Sequence, residues 1–268
     1  MKGKKIAALL TAAVLLVGSL AGCSGNDKTK LTVATNAEFA PWESIEDGEY
    51  VGADMDIIRA IADKLGMEVE IQNMEFEAVL SSLVSKTCDV AISGLTVTSK
   101  RAEQVDFTDA YYKVSQVLIV RSDDTVFTGT TKAELDEQLK GKKIGVCTGY
   151  TAQQYVEGDP NWPFETIENA TAVIYDNISL AIQGLKDKAV DVVMMDDPVA
   201  KEAAAADQNK DAVKVIDVQL TNERYAIGIQ KGDTELMERV NQALKELREE
   251  GKLAEILENY DMELPSDL

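Results

Sequence analysis

Segments with the apolar spacing of a strand alternate along the chain with segments that have the apolar spacing of a helix. Runs of apolar residues at strand spacing are separated by stretches with apolar residues three and four positions apart. The strand-like runs lie at 31–35, 69–71 and 90–92, and the helix-like stretches at 55–65 and 78–84. This order predicts β-α-β-α-β, which implies a parallel sheet with helices on its faces. Gly66 stands where a glycine ends a helix.

The same order returns further along the chain. Strands are predicted at 143–147, 173–175 and 190–195, and helices at 151–155, 179–185 and 199–206. Apolar strands at 117–120 and 225–229 flank this second half, and we take them as the crossovers between two α/β lobes. The C-terminal stretch 235–260 reads as an amphipathic helix broken near Gly251.

The two crossovers predict that the first lobe is discontinuous. It comprises residues 31–115 and 222–268, and the second lobe comprises residues 116–221. Ligands of open parallel sheets bind beyond the carboxyl ends of the strands. The residues that follow the strands are therefore the candidates for a cleft between the lobes, and they are 36–42, Phe76, 93–98, 148–151 and 196–197.

The N-terminus has the order of a secretory signal. Lysines at 2, 4 and 5 precede an uncharged apolar run at 6–17, which is too short for a membrane span of about 20 residues. Leu20–Cys23 resembles the lipobox of bacterial lipoproteins, although an ordinary signal with a chance cysteine is the alternative. We expect a signal peptide at 1–22, a lipid on Cys23 and a flexible tether at 23–30.

Composition excludes several kinds of chemistry. The chain has a formal charge of −20, which argues against nucleic acid or anionic lipid headgroups as partners. It has no histidine, so a Ser-His-Asp or Cys-His hydrolase is excluded and the commonest zinc ligand is missing. Cys88 and Cys147 lie in apolar strands and read as small buried residues, with a disulfide between them as the alternative.

Five segments, in order, match blocks of a known family. They are Thr35–Glu43, Gly52–Asp56, Ser93–Arg101, Val105–Tyr112 and Val190–Val199. Together they resemble the extracytoplasmic solute-binding proteins that deliver polar amino acids to ABC importers, and the resemblance covers nearly the whole mature chain. Ala53 stands where the family usually has Phe, and Ala110 where Pro is common.

The resemblance implies a fold and a ligand site. The fold is α/β, a two-lobed periplasmic-binding-protein-like fold of type II, with a mixed, mostly parallel sheet in each lobe and a two-strand hinge. Arg101 would grip the carboxylate of an amino acid, helped by the backbone of Thr96, because guanidinium matches a carboxylate in a bidentate pair. Asp196 would receive the ammonium from the second lobe, with Ser93 and Gly94 as its partners in the first.

Further positions follow from the same match. Phe39 and Phe76 would sandwich the ligand side chain, while Thr148 and Thr151 would touch its carboxylate after closure. Asn36 and Glu38 would flank the side-chain pocket. Asn36 aligns where some binders of basic amino acids have Asp, which favours a polar or broad-range ligand.

Other residues have plainer interpretations. Trp42 is expected to pack behind the site. Asp54 and Asp56 alternate like metal ligands, but a helix starts there, so we predict that they cap its N-terminus. The pair Asp196–Asp197 could likewise cap the helix that Pro198 opens.

The functional prediction is a monomeric, lipid-anchored binding protein on the outer face of the cell membrane. It would use no cofactor or metal, and it would pass an amino acid to an ABC transporter permease. Two alternatives use the same fold. One is an enzyme resembling cyclohexadienyl dehydratases, with Glu38 as an acid or base. The other is a sensing module that hands its closed form to a signalling receptor.

Overall fold

A computed structural model of the chain describes residues 29–159 and 166–268. The predicted signal peptide, Cys23 and most of the predicted tether lie outside the described residues. Among the helices of the described part, none is long and apolar enough to cross a membrane.

Strands and helices both occur throughout the described residues, and several strands follow one another without a helix between them. The strands are β1 (Lys30–Thr35), β2 (Ser44–Glu46), β3 (Glu49–Val51), β4 (Glu68–Asn73), β5 (Val90–Ala91), β6 (Asp106–Phe107), β7 (Tyr112–Val114), β8 (Gln116–Arg121), β9 (Lys143–Cys147), β10 (Thr171–Tyr175), β11 (Val192–Asp196), β12 (Val213–Ile216), β13 (Glu223–Tyr225) and β14 (Gly228–Ile229). The helices are α1 (Ala53–Leu65), α2 (Phe76–Val84), α3 (Ser99–Ala102), α4 (Lys132–Leu139), α5 (Thr151–Glu157), α6 (Ile178–Lys186), α7 (Asp197–Ala205), α8 (Thr234–Glu249) and α9 (Lys252–Glu258).

The strands form two mixed sheets of the same design. The first has the order β4-β1-β5-β14-β6, and the second has the order β10-β9-β11-β8-β12. In each sheet the first three strands are parallel, and the fourth runs antiparallel to the third. The first sheet takes β14 from the C-terminal part of the chain, so the first lobe is built from two separate segments.

The lobes are joined by a different strand pair from the predicted one. Strand β7 pairs with β13 in antiparallel register, with Tyr112 opposite Tyr225 and Val114 opposite Glu223. The predicted crossover at 117–120 was wrong, because these residues belong to β8 inside the second sheet. The predicted crossover at 225–229 overlaps the hinge strand only at Tyr225, since residues 228–229 belong to β14 inside the first sheet. The apolarity of these segments reflects burial in a sheet and not a passage between lobes.

Helix α1 ends where the glycine pattern predicts. Gly66 adopts the left-handed conformation at φ 68°. The backbone N–H groups of Gly66 and Met67 donate to the carbonyls of Asp63 and Ala62 in the last turn of the helix. Ile57, Ile58 and Ile61 point from α1 into the core and are fully buried, which contributes about 1.5–3 kcal/mol for each side chain. Gly251, at φ 76°, separates α8 from α9, which confirms the predicted break.

The core of the second lobe packs on both faces of its sheet. Leu118 and Val120 of β8 and Val192 and Met194 of β11 are fully buried among the side chains of α4 and α5. The neighbouring positions Val117, Ile119, Val193 and Met195 point to the opposite face and join a separate core cluster. Helices on both faces therefore hold this sheet, and the carboxyl ends of its parallel strands stay free for a ligand site.

Candidate functional site

The loops that follow β5, β9 and β11 meet in one cavity between the lobes. Its volume, the mouth included, is about 210 Å³. The lining residues are Phe39, Phe76, Gly94, Thr96, Arg101, Tyr150, Thr151 and Asp196. All but Tyr150 are predicted ligand residues, and Tyr150 lies in the range 148–151 that the sequence predicts at the cleft. The two lobes contribute to the lining together.

Arg101 lies on the first-lobe side of the cavity, within the short helix α3. The hydroxyl of Thr98 accepts a hydrogen bond from the Arg101 backbone N–H at 3.2 Å, which fixes the start of this helix. The Arg101 side chain is only 6% exposed. Its Nη1 donates to the carbonyl of Thr96 at 2.8 Å, and Nη2 donates across the cleft to the carbonyl of Gly149 at 3.1 Å.

The surroundings of Arg101 combine an aromatic face and two acids. The guanidinium carbon lies 5.2 Å from the centre of the Phe76 ring, a cation–π geometry. Burial lowers the pKa of Arg101, and the charges of Glu223 and Asp196 act in the opposite direction. An arginine stays protonated under such shifts, so the cavity has a fixed positive charge.

Asp196 supplies the opposite charge from the second lobe. It ends β11, is 3% exposed, and makes no side-chain capping bond to α7. Its Oδ1 accepts a hydrogen bond from Gln116 Nε2 at 2.6 Å, and its Oδ2 accepts one from the hydroxyl of Tyr225. Burial and then the charge of Glu223 raise the pKa of Asp196 to about 7. This carboxyl therefore changes protonation near neutral pH.

Aromatic rings close the cavity from both sides. The Tyr150 ring of the second lobe meets the edges of Phe39 at 5.3 Å and Phe76 at 4.6 Å, measured between ring centres. Gly94 makes the approach of Phe39 possible, because a Cβ at Gly94 would lie 2.5 Å from Phe39 Cε1. Gly94 also adopts a positive φ of 51°.

The loop at Ser93–Gly94 rests on two buried acids. Ser93 Oγ donates to Glu43 Oε1 at 2.7 Å, and the Gly94 N–H donates to Asp54 Oδ2 at 2.8 Å. Burial raises the pKa of Glu43 well above its usual range and that of Asp54 to about 6. The charge of Asp54 is a second cause of the raised pKa of Glu43. This pair of carboxyls therefore holds a proton at pH values at which exposed carboxyls are ionised.

The predicted capping role of Asp54 and Asp56 was wrong. Gly52 occupies the N-cap position of α1, and no side chain caps this helix. Asp54 instead accepts the hydrogen bond from Gly94, and Asp56 accepts one from the hydroxyl of Tyr260 at 2.9 Å. Both acids have tertiary partners that local spacing could not reveal. Among the described residues, no group of three or more Cys, Asp or Glu is arranged to hold a metal ion.

Four of the predicted ligand residues lie outside the cavity lining. The Ser93 hydroxyl turns away to Glu43, and Asn36 Nδ2 donates to the carbonyl of Met74 at 3.0 Å. Thr148 is half-buried, and its hydroxyl donates to the carbonyl of Tyr175 at 3.3 Å. Glu38 is exposed, although its charge raises the pKa of Tyr150 and Cys147 in the opposite lobe.

Trp42 and the two described cysteines are all buried. Trp42 is fully buried, and its ring packs against those of Tyr111, Tyr112 and Tyr225. The prediction that Cys88 and Cys147 are buried small residues is confirmed, because both are buried and free. Tyr225 therefore links this aromatic cluster to Asp196.

Glu223 belongs to the site, and the sequence reasoning missed it. It lies in the hinge strand β13, is 2% exposed, and contacts Thr96 and Thr151, which both line the cavity. The only signal in the sequence is an acid two positions before the apolar run 225–229, with Arg224 between them. An isolated Glu in such a position is far more often exposed, so the pattern gave no reason to select it.

A larger groove of about 1230 Å³ lies along β7 and the C-terminal residues 263–267. Its cation, Lys113, pairs with the carboxylate of Asp267. The groove therefore lacks the two features of the cavity, a buried cation and a buried acid on facing lobes.

The cavity is suited to a small ligand with one anionic and one cationic end. Arg101 offers two N–H groups to an anion, and Asp196 offers carboxylate oxygens to a cation. Because these residues stand on different lobes, both can hold one molecule only when the lobes are close together. Two α/β lobes, a two-strand hinge and a cavity lined from both sides define a two-lobed periplasmic-binding-protein-like fold of type II.

Comparison with known proteins identifies the family. The model of the bacterial extracellular solute-binding proteins, family 3, matches residues 31–263, and the chain belongs to this family. The arginine-binding extracellular protein ArtP of Bacillus subtilis (strain 168) is 30% identical over 256 residues, which cover 95% of each chain. The ABC transporter arginine-binding protein 1 of Escherichia coli (strain K12) is 30% identical over 254 residues, covering 94% of this chain and 98% of the relative.

Solved structures show the same fold. An ancestral arginine-binding protein bound to arginine has a TM-score of 0.78 and 34% identity, over 87% of this chain and 99% of that one. An ancestral arginine-binding protein bound to glutamine has a TM-score of 0.75 and 35% identity, over 87% of this chain and 98% of that one. The family and the two-lobed fold predicted from the sequence are confirmed.

Proposed function

We propose that this protein captures an amino acid outside the cell and delivers it to an ABC importer. The observation that carries this proposal is the pair of buried, opposite charges, Arg101 and Asp196, on facing lobes of one cavity. An α-amino acid has a carboxylate for the first and an ammonium for the second. Relatives named as arginine-binding and histidine-binding proteins support an amino acid as the ligand.

We further propose that the side chain of the ligand is cationic. Glu38 stands near the second lobe, since its charge reaches Tyr150 and Cys147. Glu77 lies beside Gly149, with its Cγ 3.4 Å from the place of a Cβ there. Glu77 follows Phe76 in the chain, and Glu38 precedes Phe39. A cation beside acids and aromatic faces is stabilised by both. Glutamine-like side chains are the second candidate, because a solved structure of an ancestral arginine-binding protein holds glutamine.

The membrane part of the proposal depends on the N-terminal sequence. After cleavage before Cys23, a lipid on this residue would hold the protein on the outer face of the membrane beside its permease. A single acyl chain binds a protein to a membrane only marginally, and a second acyl chain makes the binding stable. The proposed anchor therefore needs more than one acyl chain. The protein would bind and release its ligand without chemical change.

The first experiment is thermal unfolding of the protein in the presence of each of the twenty amino acids, ornithine and cystine. A ligand at 100 times its Kd raises the free energy of unfolding by about 2.7 kcal/mol. We expect stabilisation by arginine, lysine or histidine, and a smaller effect of glutamine. No shift with any amino acid would contradict the proposal.

Arg101→Ala tests the site itself. We expect at least a 100-fold loss of affinity, because a buried charge-assisted bidentate pair is removed. Arg121→Ala is the matched control, since Arg121 also donates to backbone carbonyls, those of Leu185 and Val190, but does not line the cavity. Both variants should lose some stability, and only Arg101→Ala should lose binding in isothermal titration calorimetry.

A further inference from the structure

The side chain of Glu223 connects both lobes. Its Oε2 accepts hydrogen bonds from the hydroxyls of Thr96 and Thr151, each at 2.8 Å. Its Oε1 accepts from Thr221 Oγ1 at 2.7 Å and from Gln116 Nε2 at 3.2 Å. Both carboxylate oxygens are therefore fully used in a buried place, where an unpaired charge would be costly.

The bonds of Glu223 to the first lobe do not depend on closure. Thr96 pairs with Tyr225 in an antiparallel bridge, and the Val97 N–H donates to the carbonyl of Arg224 at 2.9 Å. The Thr96 loop and strand β13 are thus one rigid unit. Glu223 and Thr96 move together when the lobes move.

The bond to Thr151 joins Glu223 to the second lobe. Thr151 is the first residue of α5 in the second lobe, and it lines the cavity with Asp196. Its hydroxyl reaches Glu223 only when α5 stands against β13. The Gln116 amide adds a second connection, because its Nε2 lies within hydrogen-bond distance of Glu223, Thr151 and Asp196.

We propose that Glu223 is a positioning residue that stabilises the closed arrangement of the lobes, by accepting a hydrogen bond from Thr151 of the second lobe while it is held by Thr96 of the first. The expected effect of Glu223 on ligand binding rests on the proposed function, whereas its effect on the arrangement of the lobes does not. Glu223 does not line the cavity, so it acts through the two threonines and through Gln116. Hydrogen bonds to a charged acceptor are about twice as strong as neutral ones, which makes a carboxylate effective here.

Glu223→Gln tests the proposal with nearly unchanged volume. Its amide is uncharged and accepts at one end only, so the bond to Thr151 loses its charged acceptor whichever way the amide is oriented. We expect the ligand to dissociate about ten-fold faster in stopped-flow experiments, with little change in the association rate, because the first encounter with Arg101 needs no closure. The radius of gyration without ligand, from small-angle X-ray scattering, should increase.

Thr221→Val is the control, since it removes the bond from the Thr221 hydroxyl to Glu223, together with the bond that this hydroxyl accepts from the Gln116 N–H, and leaves the bond to Thr151 intact. It should leave the dissociation rate and the radius of gyration near those of the wild type. Equal effects of the two substitutions, or no effect of Glu223→Gln on either quantity, would overturn the proposal.

The pH dependence of affinity separates positioning from a loss of packing. The charged and titratable groups that face Asp196 are Arg101, Cys147, Tyr150, Asp197, Glu223 and Tyr225. Removing the Glu223 charge should shift the midpoint of the affinity profile to lower pH, whereas a merely structural defect would weaken binding at every pH alike. A midpoint that does not move would count against the proposal.

A second pair of variants covers the case in which Glu223→Gln does not fold. Thr151→Val removes the same bond from the other side, and Thr151→Ser keeps the hydroxyl. Only the valine variant should have the larger radius of gyration. Because this readout needs no ligand, it tests Glu223 even if no amino acid binds to the wild type, which would instead contradict the proposed function.

Discussion

Single residues in the cleft have ionisation properties that follow from burial. Asp196 and Arg101 are removed from water, and each is stabilised by hydrogen bonds from or to groups of both lobes. An isolated carboxylate in such a place prefers to be neutral, and this explains the raised pKa of Asp196. A ligand ammonium would reverse the preference by supplying a positive charge next to it.

Affinity should therefore depend on the protonation of Asp196. Its pKa is about 7 in the free protein, and the proposed ammonium contact requires the ionised form. Below that pH we expect Kd to rise by up to about ten-fold for each pH unit, and above about pH 8 it should be constant. Calorimetry between about pH 5 and pH 9, in buffers of different ionisation enthalpy, would also detect the proton released on binding.

Substitutions at 196 and 197 provide the comparison. Asp196→Asn should bind weakly and with little pH dependence. Asp197→Asn should move the midpoint only slightly to lower pH, since the Asp197 charge is the weakest cause of the raised pKa of Asp196. Asp197 does not line the cavity, and its carboxylate contacts the Ser115 N–H instead. If the affinity of Asp196→Asn still depended on pH as that of the wild type does, a group other than Asp196 would be responsible for the pH dependence.

At the scale of secondary-structure elements, local sequence decides where helices end. Gly66 and Gly251 mark helix boundaries by adopting positive φ, and both could be recognised from the pattern. Helix α4 was missed although Thr131 and Glu134 form a capping box that the sequence spells out. The apolar periodicity of α4 is weak, since only Leu135 and Leu139 are buried, and periodicity was the criterion used.

Short strands were missed for a different reason. The β2–β3 hairpin, β6, β7 and β12 each have two to four residues, too few to show a period. Their conformation depends on partners elsewhere in the chain, as β7 depends on β13. The hinge therefore could not be located from the sequence to better than a few residues.

The glycine before α1 provides a test at this scale. A Cβ at Gly52, which has φ 121°, would lie 2.2 Å from the carbonyl oxygen of Trp42. We expect Gly52→Ala to lower the free energy of unfolding by more than about 3 kcal/mol, because both the backbone conformation and the space are unsuitable. Urea unfolding would measure the change.

Gly66→Ala is the matched control. Gly66 also has a positive φ, of 68°, but a Cβ there would meet no atom within 4 Å. Only the conformational cost of about 1–2 kcal/mol should remain. If Gly52→Ala and Gly66→Ala lower the free energy of unfolding by similar amounts, the close contact with Trp42 carries no energetic cost.

At the scale of the whole molecule, three buried acids make stability depend on pH. Glu43, Asp54 and Asp196 have a raised pKa in the folded protein, so the folded state binds more protons than the unfolded state between about pH 4 and pH 7. Stability must then fall as pH rises through this range. Asp106, whose pKa is lowered by the Gly232 N–H and by Lys231, acts in the opposite direction at lower pH.

We expect the free energy of unfolding to be a few kcal/mol lower at about pH 7.5 than at about pH 4.5, in the absence of added ligand. Urea titrations at several pH values would show it. Asp196→Asn should flatten this dependence, because the amide cannot ionise. An increase of stability with pH in the wild type would contradict the raised pKa values.

The sequence by itself determined the fold class, the repeated β-α order of the two lobes and most residues of the cavity lining. Periodicity and the position of a residue after a strand are local properties, and five motifs in order identified the family. Only the tertiary structure decided the partners of the buried acids. Asp54 supports Gly94, and Glu223 joins Thr96 to Thr151, because β13 returns to the first lobe after the whole second lobe has been formed. The residues in these contacts are 40 to 127 positions apart, so the contacts depend on how the chain packs, and no local pattern encodes them.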